Sequence, residues 1–174
     1  MIYIVRHGQT NDNVAGRYSG RIDTPLNEKG LAQAEELHEK LKNIKFDVVI
    51  SSPLQRAHQT ANTICSNEII DDERIIERDN GGLEGKLKTE ITEIIDFNDP
   101  NEKRYNIENI VDFRKRIYDF FSEIKEKYRG KNVLVVTHAG VGIYARCFFE
   151  GEPEDGNYMN YKLNNCEVLE YEND

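Results

Sequence analysis

Ile2-Tyr3-Ile4-Val5 forms an unbroken apolar run at the start of the chain and leads directly into Arg6-His7-Gly8-Gln9-Thr10. Such a run, mostly β-branched, is typical of a strand that is buried on both faces of a parallel sheet. In open α/β sheets, ligands bind in the crevice beyond the carboxyl ends of the strands. The stretch therefore predicts a central strand and places Arg6 and His7 where a ligand site is expected.

Two further apolar runs end in the same way. Val133–Thr137 is followed by His138-Ala139-Gly140, and residues 46–50 are followed by a polar segment that contains Arg56. Three parallel strand ends would thus bring two histidines and two arginines to one edge of the sheet. A neutral imidazole can attack phosphorus without prior deprotonation, and arginine offers planar, bidentate donors to phosphate oxygens. The set predicts phosphoryl chemistry.

The other interpretation of His7 and His138 is that they are core residues or metal ligands. No third and fourth ligands accompany them at a recognisable metal spacing, so neither a metal ion nor another cofactor is expected. Arginine and a protonated His138 would neutralise the transferring phosphate instead. Of the two remaining histidines, His38 is expected to be an exposed surface residue. His58 lies about 200° round a helix from Arg56 and should point away from the phosphate.

These residues resemble the motifs of the histidine phosphatase superfamily, also called the phosphoglycerate mutase-like family. Five segments match in the family's order and cover most of the chain: residues 6–13, 16–27, 51–61, 77–85 and 137–140. A single match would be weak, whereas five in order are specific. The resemblance implies an α/β three-layer sandwich with a mostly parallel central sheet flanked by helices, and one domain over residues 1–174.

By this resemblance, His7 would be the phosphorylated nucleophile, and Arg6, Arg56 and His138 would form the phosphate pocket. Glu77 would act as general acid and then as general base, a role for which Glu84 is the runner-up, although Glu84 could instead position the loop. Contacts to the phosphate or substrate are also expected from the other motif residues: Gly8, Gln9, Thr10, Asn13, Ser19, Gly20 and Ala139. The chain departs from the family at Ala139, where glycine is common, and at Leu83, where many phosphatase branches have tryptophan.

The implied activity is hydrolysis of a small phosphorylated metabolite through a phosphohistidine intermediate, with either broad specificity or an α-ribazole phosphatase-like preference. One alternative is a cofactor-dependent phosphoglycerate mutase, but the superfamily's mutases generally have longer chains than these 174 residues. Another is a non-catalytic phosphate-binding module, which predicts the loss of a catalytic group, and none is lost. Residues 86–108 would lie over the pocket, and because they lack a dense basic patch they favour a modest phosphomonoester.

The composition restricts the possible partners. The net charge is −9 with 32% charged residues, so nucleic acids and anionic membranes are disfavoured as partners. Locally, residues 1–21 hold three arginines against one aspartate, as the entrance to an anion-binding site would require.

Three scattered cysteines, no signal-like start and no membrane-length apolar run predict a cytoplasmic enzyme. The oligomeric state, monomer or homodimer, stays open.

Periodicity and turn signals predict the remaining elements. Residues 8–27 are expected to form a long loop, and Asn27 to cap a helix with apolar residues at spacings of 3 and 4. The other predictions are a helix over about 53–66, a short strand and its approach over 69–77, a short helix over 89–97, an amphipathic helix over 110–128, a helix over 141–149 and a last strand over 166–171.

Overall fold

The computed structural model describes residues 1–174, and it has a five-stranded sheet with helices on both faces. The strands are β1 (Ile2–Arg6), β2 (Val48–Ser51), β3 (Ile69–Asp71), β4 (Val133–Thr137) and β5 (Val168–Tyr171). The helices are α1 (Asn11–Ala15), α2 (Glu28–Leu41), α3 (Gln55–Ile64), α4 (Ile110–Lys127) and α5 (Ala139–Glu150). The strand order is β3-β2-β4-β1-β5, and only the edge strand β5 runs antiparallel. The predicted three-layer α/β sandwich is confirmed.

The two faces of the sheet bury different helices. Residues 2 and 4 of β1 pack with α4 and α5 in one core of 18 residues. Residues 3 and 5 of the same strand pack with α2 and α3 in another core of 11 residues. This alternation is what the period of two in a strand requires. The helices that follow β1 and β4 therefore lie on opposite faces, and the crevice between these two neighbouring strands is the switch point of the sheet.

Several predicted elements occur with small differences in their bounds. The strands at both histidine motifs, the long helix α4 and the helix after His138 are all present. Asn27 caps α2 as predicted, because its side-chain oxygen accepts a hydrogen bond of 2.8 Å from the N–H of Gly30. The last strand begins at Val168, two residues later than expected.

Three predictions need correction. The loop over 8–27 contains α1, whose first turn is closed by a capping box between Thr10 and Asn13. The segment over 69–77 is a strand only as far as Asp71 and continues into a 3₁₀ turn over Glu73–Ile75. The helix predicted over 89–97 is absent except for a 3₁₀ turn over Lys88–Glu90. Downstream of that turn, the carboxylates of Asp96 and Asp99 accept backbone N–H groups two residues on, which competes with helix formation.

The three cysteines are unpaired thiols. None of the helices is both long enough and apolar enough to cross a membrane.

Candidate active site

His7 and His138 lie side by side because of the register between β1 and β4. Arg6 pairs with Thr137 in the parallel ladder, so the next residue of each strand is a histidine. The two imidazole centroids are 5.2 Å apart, with an angle of 60° between the ring planes. Both side chains are buried. The separation of the two histidines is thus set by strand pairing rather than by loop geometry.

The hydrogen bonding of His7 fixes which ring nitrogen is free. Its Nδ1 lies 2.7 Å from the carbonyl oxygen of Gly8, and because a carbonyl only accepts, Nδ1 must carry the proton. Nε2 is therefore left with its lone pair. Burial, followed by the charges of Arg56 and Arg6, holds the pKa of His7 well below its ordinary value of 6.5. The ring is a neutral imidazole with Nε2 available as a nucleophile.

His138 sits behind this ring. Its Nε2 shares a hydrogen bond of 2.7 Å with the hydroxyl oxygen of Ser52, while its buried Nδ1 has no partner in the protein. Burial, then the charges of Arg56 and His7, lowers the pKa of His138 well below 6.5. The prediction that a protonated His138 neutralises the transferring phosphate concerns the phosphate-bound state and stays a prediction. The negative charge of a phosphomonoester would oppose these effects and favour protonation.

Arg6 and Arg56 are held by backbone carbonyls instead of carboxylates. Arg56 is only 1% exposed and donates to the carbonyl oxygens of Gly20 and Ile22, at 2.7 and 2.6 Å. Arg6 donates to the carbonyl oxygen of Leu163 at 2.7 Å. The Nε atom of each guanidinium is buried and has no acceptor in the protein. Two buried cations without ion-pair partners, each with an unused donor, favour an anion as their ligand.

The carboxylate of Glu77 lies near the positive charges of Arg6 and Arg56. It is half-buried, and its Oε2 accepts the N–H of Gly140 at 3.1 Å while its Oε1 accepts the N–H of Arg78 at 2.8 Å. A Cβ atom at position 140 would lie closer than 3.0 Å to the Glu77 carboxylate, so glycine leaves the space that this side chain occupies. The carboxylate is thereby fixed against the start of α5, next to His138.

The backbone that carries Glu77 is anchored by Arg116 of α4. This guanidinium donates to the carbonyl oxygens of Arg74, Ile76 and Glu77, at 2.6, 2.7 and 3.2 Å. It also forms a two-pronged ion pair with the carboxylate of Glu108, at 2.8 and 2.9 Å. Nothing in the sequence pattern singled out Arg116, since it lies on the polar side of an ordinary amphipathic helix.

A cavity of about 340 Å³ opens above these residues. Eight of the residues predicted for the site line it: Arg6, His7, Asn13, Ser19, Gly20, Arg56, Glu77 and Ala139. No three His, Cys, Asp or Glu side chains of the fold are grouped as a metal site would need.

The other predicted residues support the cavity from outside its lining. Gly8 donates its N–H to the hydroxyl of Thr60 at 3.0 Å, and a Cβ on it would lie 2.5 Å from the carbonyl oxygen of Gly30. Gln9 is hydrogen-bonded to α2 by its backbone N–H and side-chain oxygen. Thr10 is the N-cap of α1, and His138 does not line the cavity but has its ring centroid 5.2 Å from that of His7, which does.

The remaining candidates have structural partners. Glu84 accepts the N–H groups of Arg21 and Asn80 and so positions the loop. His58 pairs with Asp71 outside the cavity, as predicted from helix geometry. The prediction that His38 is exposed is wrong, because its half-buried ring donates from Nδ1 to the carbonyl oxygen of Ile64 at 2.7 Å and caps α3.

Sequence reasoning missed Asn165 and a set of basic residues. Asn165 donates to the carbonyl oxygen of His7 at 2.9 Å and to the side-chain oxygen of Asn13 at 3.2 Å. It lies in the loop before β5, where no pattern marked it. The cavity is lined by Arg17, which belongs to the arginine-rich first 21 residues noted in the sequence, and by three basic residues that no sequence signal marked, because they come from three separate segments. These three are Arg78, Lys88 and Lys162.

Comparison with known proteins agrees with this geometry. The model of the histidine phosphatase superfamily (branch 1) matches residues 2–174. The uncharacterized phosphatase PhoE of Bacillus subtilis is 33% identical over 97% of this chain and 89% of its own length. Phosphoserine phosphatase 1 of Hydrogenobacter thermophilus is 33% identical over 79% of this chain and 70% of its own. The solved structure of the alpha-ribazole phosphatase from Shigella flexneri has a TM-score of 0.82 and 28% identity, covering 94% of this chain and 86% of that one.

Proposed function

The chain belongs to the histidine phosphatase superfamily and is a phosphomonoester hydrolase, and we propose that it transfers the phosphoryl group of its substrate to His7 before water releases it. The observation that carries this proposal is the hydrogen bond from His7 Nδ1 to the Gly8 carbonyl, which leaves the Nε2 lone pair free in a neutral ring. A nucleophile that needs no deprotonation is well suited to attack phosphorus at neutral pH.

In the first step, Nε2 of His7 attacks phosphorus in line as the bond from phosphorus to the ester oxygen breaks. Glu77 gives its proton to the departing oxygen, which leaves as an alcohol. Arg6 and Arg56 donate from their free N–H groups to the equatorial oxygens, where negative charge is spread during transfer. His138 takes up a proton from solvent as the anion arrives, adds a third positive donor, and returns the proton to solvent when phosphate leaves.

In the second step, a water molecule attacks the phosphohistidine from the side that the alcohol has left. Glu77, now a carboxylate, accepts a proton from this water as the nitrogen–phosphorus bond breaks. His7 regains its neutral ring and inorganic phosphate is released. One carboxylate thus serves as acid and then as base, which requires it to stay within reach of the same oxygen position in both steps.

The cavity volume of about 340 Å³ supports a small phosphorylated metabolite as the substrate. The names of the relatives include phosphoserine and alpha-ribazole phosphatases, and these two substrate types are the ones to test first. Residues 1–174 would act as one domain, since both cores share the same sheet. The cytoplasmic location expected from the sequence stays a prediction.

The test is hydrolysis of p-nitrophenyl phosphate in EDTA by the wild type, His7→Ala and His58→Ala. We expect His7→Ala to lose turnover and His58→Ala to keep it, since His58 lies outside the cavity. Quenching the wild type during turnover should trap a phosphoenzyme that is stable to base and labile to acid. Equal activity of the wild type and His7→Ala would refute the proposal. Isomerisation of 3-phosphoglycerate with a bisphosphoglycerate primer, without hydrolysis of any ester, would identify a mutase.

A further inference from the structure

One side chain outside the cavity joins two residues that line it. Asn165 lies in the loop before β5, is half-buried and does not line the cavity itself. Its Nδ2 donates to the carbonyl oxygen of His7 at 2.9 Å and to Oδ1 of Asn13 at 3.2 Å. An amide nitrogen has two protons, so this one group serves both the residue that carries the nucleophile and a second residue of the lining.

The bond to His7 fixes the peptide plane that follows the nucleophile. That plane contains the carbonyl of His7 and the N–H of Gly8, and the N–H donates to the hydroxyl of Thr60 at 3.0 Å. Asn165 and Thr60 therefore hold the plane at both ends. The next carbonyl, that of Gly8, accepts the proton of His7 Nδ1. Rotation of the plane would thus move the group that fixes the imidazole.

The bond to Asn13 decides which atom of that amide is left for a ligand. Oδ1 of Asn13 accepts the N–H of Thr10 at 3.2 Å as well as Nδ2 of Asn165, so two donors face it. Turning the amide by 180° would bring its own N–H groups against these two donors. Nδ2 of Asn13 has no acceptor in the protein. It is therefore the atom that Asn13 offers to an anion in the cavity.

The loop that carries Asn165 is held in a strained conformation. Cys166 has a φ of 57°, in the left-handed region that residues other than glycine rarely adopt. Its N–H donates to the carbonyl oxygen of Arg6 at 2.9 Å. On the other side of Asn165, the carboxylate of Glu167 accepts the N–H and Nδ2 of Asn164, at 2.7 and 3.0 Å. The strain is thus maintained where it brings the Asn165 amide to the end of β1.

We propose that Asn165 is a positioning residue for phosphoryl transfer, which holds the backbone of His7 for in-line attack and turns Nδ2 of Asn13 toward the phosphate oxygens. The inference rests on the proposed function, because it takes His7 as the nucleophile. Both hydrogen bonds act on the phosphate side of the reaction and not on the leaving group. Loss of Asn165 should therefore slow all esters by a similar factor, whereas loss of a proton donor slows alkyl esters most.

Hydrolysis of p-nitrophenyl phosphate and glycerol 3-phosphate by Asn165→Ala tests the proposal. We expect kcat/KM to fall by about tenfold to 10²-fold for both esters, since a misplacement of about 1 Å costs about 10²-fold. The double variant Asn13→Ala/Asn165→Ala should lose at least about twofold less than the product of the two single losses, because side chains that share a hydrogen bond are coupled. Asn165→Leu keeps the size of the side chain without its donor and should behave as Asn165→Ala does.

Asn173→Ala is the matched control. Asn173 is a buried asparagine whose Nδ2 also donates to backbone carbonyls, those of Tyr128 and Lys131, and none of these three residues lines the cavity. We expect this variant to melt at a lower temperature than the wild type but to keep its kcat/KM when assayed well below the transition. Such a result would separate a loss of stability from a loss of positioning.

Four kinetic outcomes would overturn the proposal. They are a kcat/KM of Asn165→Ala within about twofold of the wild type, losses that multiply fully in the double variant, equal slowing by Asn173→Ala, and a loss confined to glycerol 3-phosphate. A chain that folds with neither alanine nor leucine at position 165 would also overturn it, because Asn165 would then be required by the fold itself.

Binding of inorganic phosphate separates this proposal from the proposed function. Calorimetry should show weaker binding to Asn165→Ala than to the wild type and to Asn173→Ala. If neither ester is hydrolysed in a His7-dependent way while this difference holds, the proposed function fails and the orientation of Asn13 by Asn165 stands. If hydrolysis depends on His7 but Asn165→Ala binds phosphate and turns over as the wild type does, only the positioning role fails. Slower hydrolysis with unchanged phosphate binding would overturn the part that concerns Asn13.

Discussion

Replacing Gly140 with alanine should displace Glu77, the proposed general acid, while leaving the fold intact. A Cβ at this position would lie closer than 3.0 Å to Oε1 of Glu77, whereas ordinary van der Waals contact begins at 3.4 Å. The carboxylate is the far end of a flexible side chain, so it would retreat by about 1 Å, and a misplacement of that size costs about 10²-fold in rate. General acid catalysis contributes about 10²- to 10⁴-fold in total, so the expected loss is about a hundredfold and could not exceed that of Glu77→Gln.

The loss should depend on the leaving group. An alkyl phosphate releases an alkoxide that needs a proton, whereas p-nitrophenolate leaves readily without one. We therefore expect kcat/KM, which reports formation of the phosphoenzyme, to fall about 10²-fold for glycerol 3-phosphate and far less for p-nitrophenyl phosphate. The melting temperature should stay level or rise, because alanine favours a helix more than glycine does.

Gly82→Ala is the control for this prediction, because a Cβ there would have no neighbour closer than 3.5 Å. It should leave both rates unchanged. If Gly140→Ala slows both substrates equally at an unchanged melting temperature, the assignment of Glu77 as the proton donor is wrong.

Three further predictions concern groups around the cavity. Arg116→Met should lower stability by about 3 kcal/mol in urea unfolding, because the half-buried carboxylate of Glu108 loses its two-pronged partner and keeps only Arg21 at 3.4 Å. It should also slow alkyl esters more than p-nitrophenyl phosphate, and an unchanged midpoint would contradict this. The pKa values of His7 and His138 are held below 6.5 in the folded state, so the unfolded chain binds more protons and stability should fall as the pH drops below 6.5. Thermal unfolding at pH 7.5 and 5.0 should show this fall, and replacing both histidines with glutamine should flatten it. Tyr144→Phe removes a hydroxyl that donates to the side-chain oxygen of Asn98 at 2.6 Å and so holds residues 86–108 at the cavity. Since these residues would contact the substrate but not the reacting phosphate, KM should rise more than kcat falls in steady-state assays.

The sequence predicted which side chains meet at the carboxyl edge of the sheet, because the signal there is local. Apolar runs before His7 and His138 mark buried strands, and parallel pairing then places the two histidines together. Arg56 follows from the same logic, since it is the second residue of the helix after β2. His7, His138 and Arg56 each lie within a few positions of the end of a buried strand, and that strand is what the sequence pattern predicts.

Predictions failed where an element is too short for a periodic pattern or where tertiary contacts decide the structure. α1 has only five residues, too few for a helical period, and exists because of a capping box. His38 looked exposed because its neighbours are charged, yet its ring reaches the last carbonyl of α3. Arg116 and Asn165 hold backbone carbonyls of distant segments. A side chain that donates to a backbone carbonyl far away in sequence leaves no pattern in the chain.

Residues that would act on the phosphate and residues that would select the substrate also differ in how the fold holds them. The groups that would act on the phosphate lie at or next to the ends of β1, β2 and β4, whose pairing is rigid, whereas Lys88 and Lys162 lie in loops that pair with no strand. Loops tolerate substitution far better than paired strands do. Changes at positions 88 and 162 should therefore alter which esters are preferred without abolishing hydrolysis of p-nitrophenyl phosphate. Changes at positions 7 and 56 should abolish the hydrolysis of every ester together.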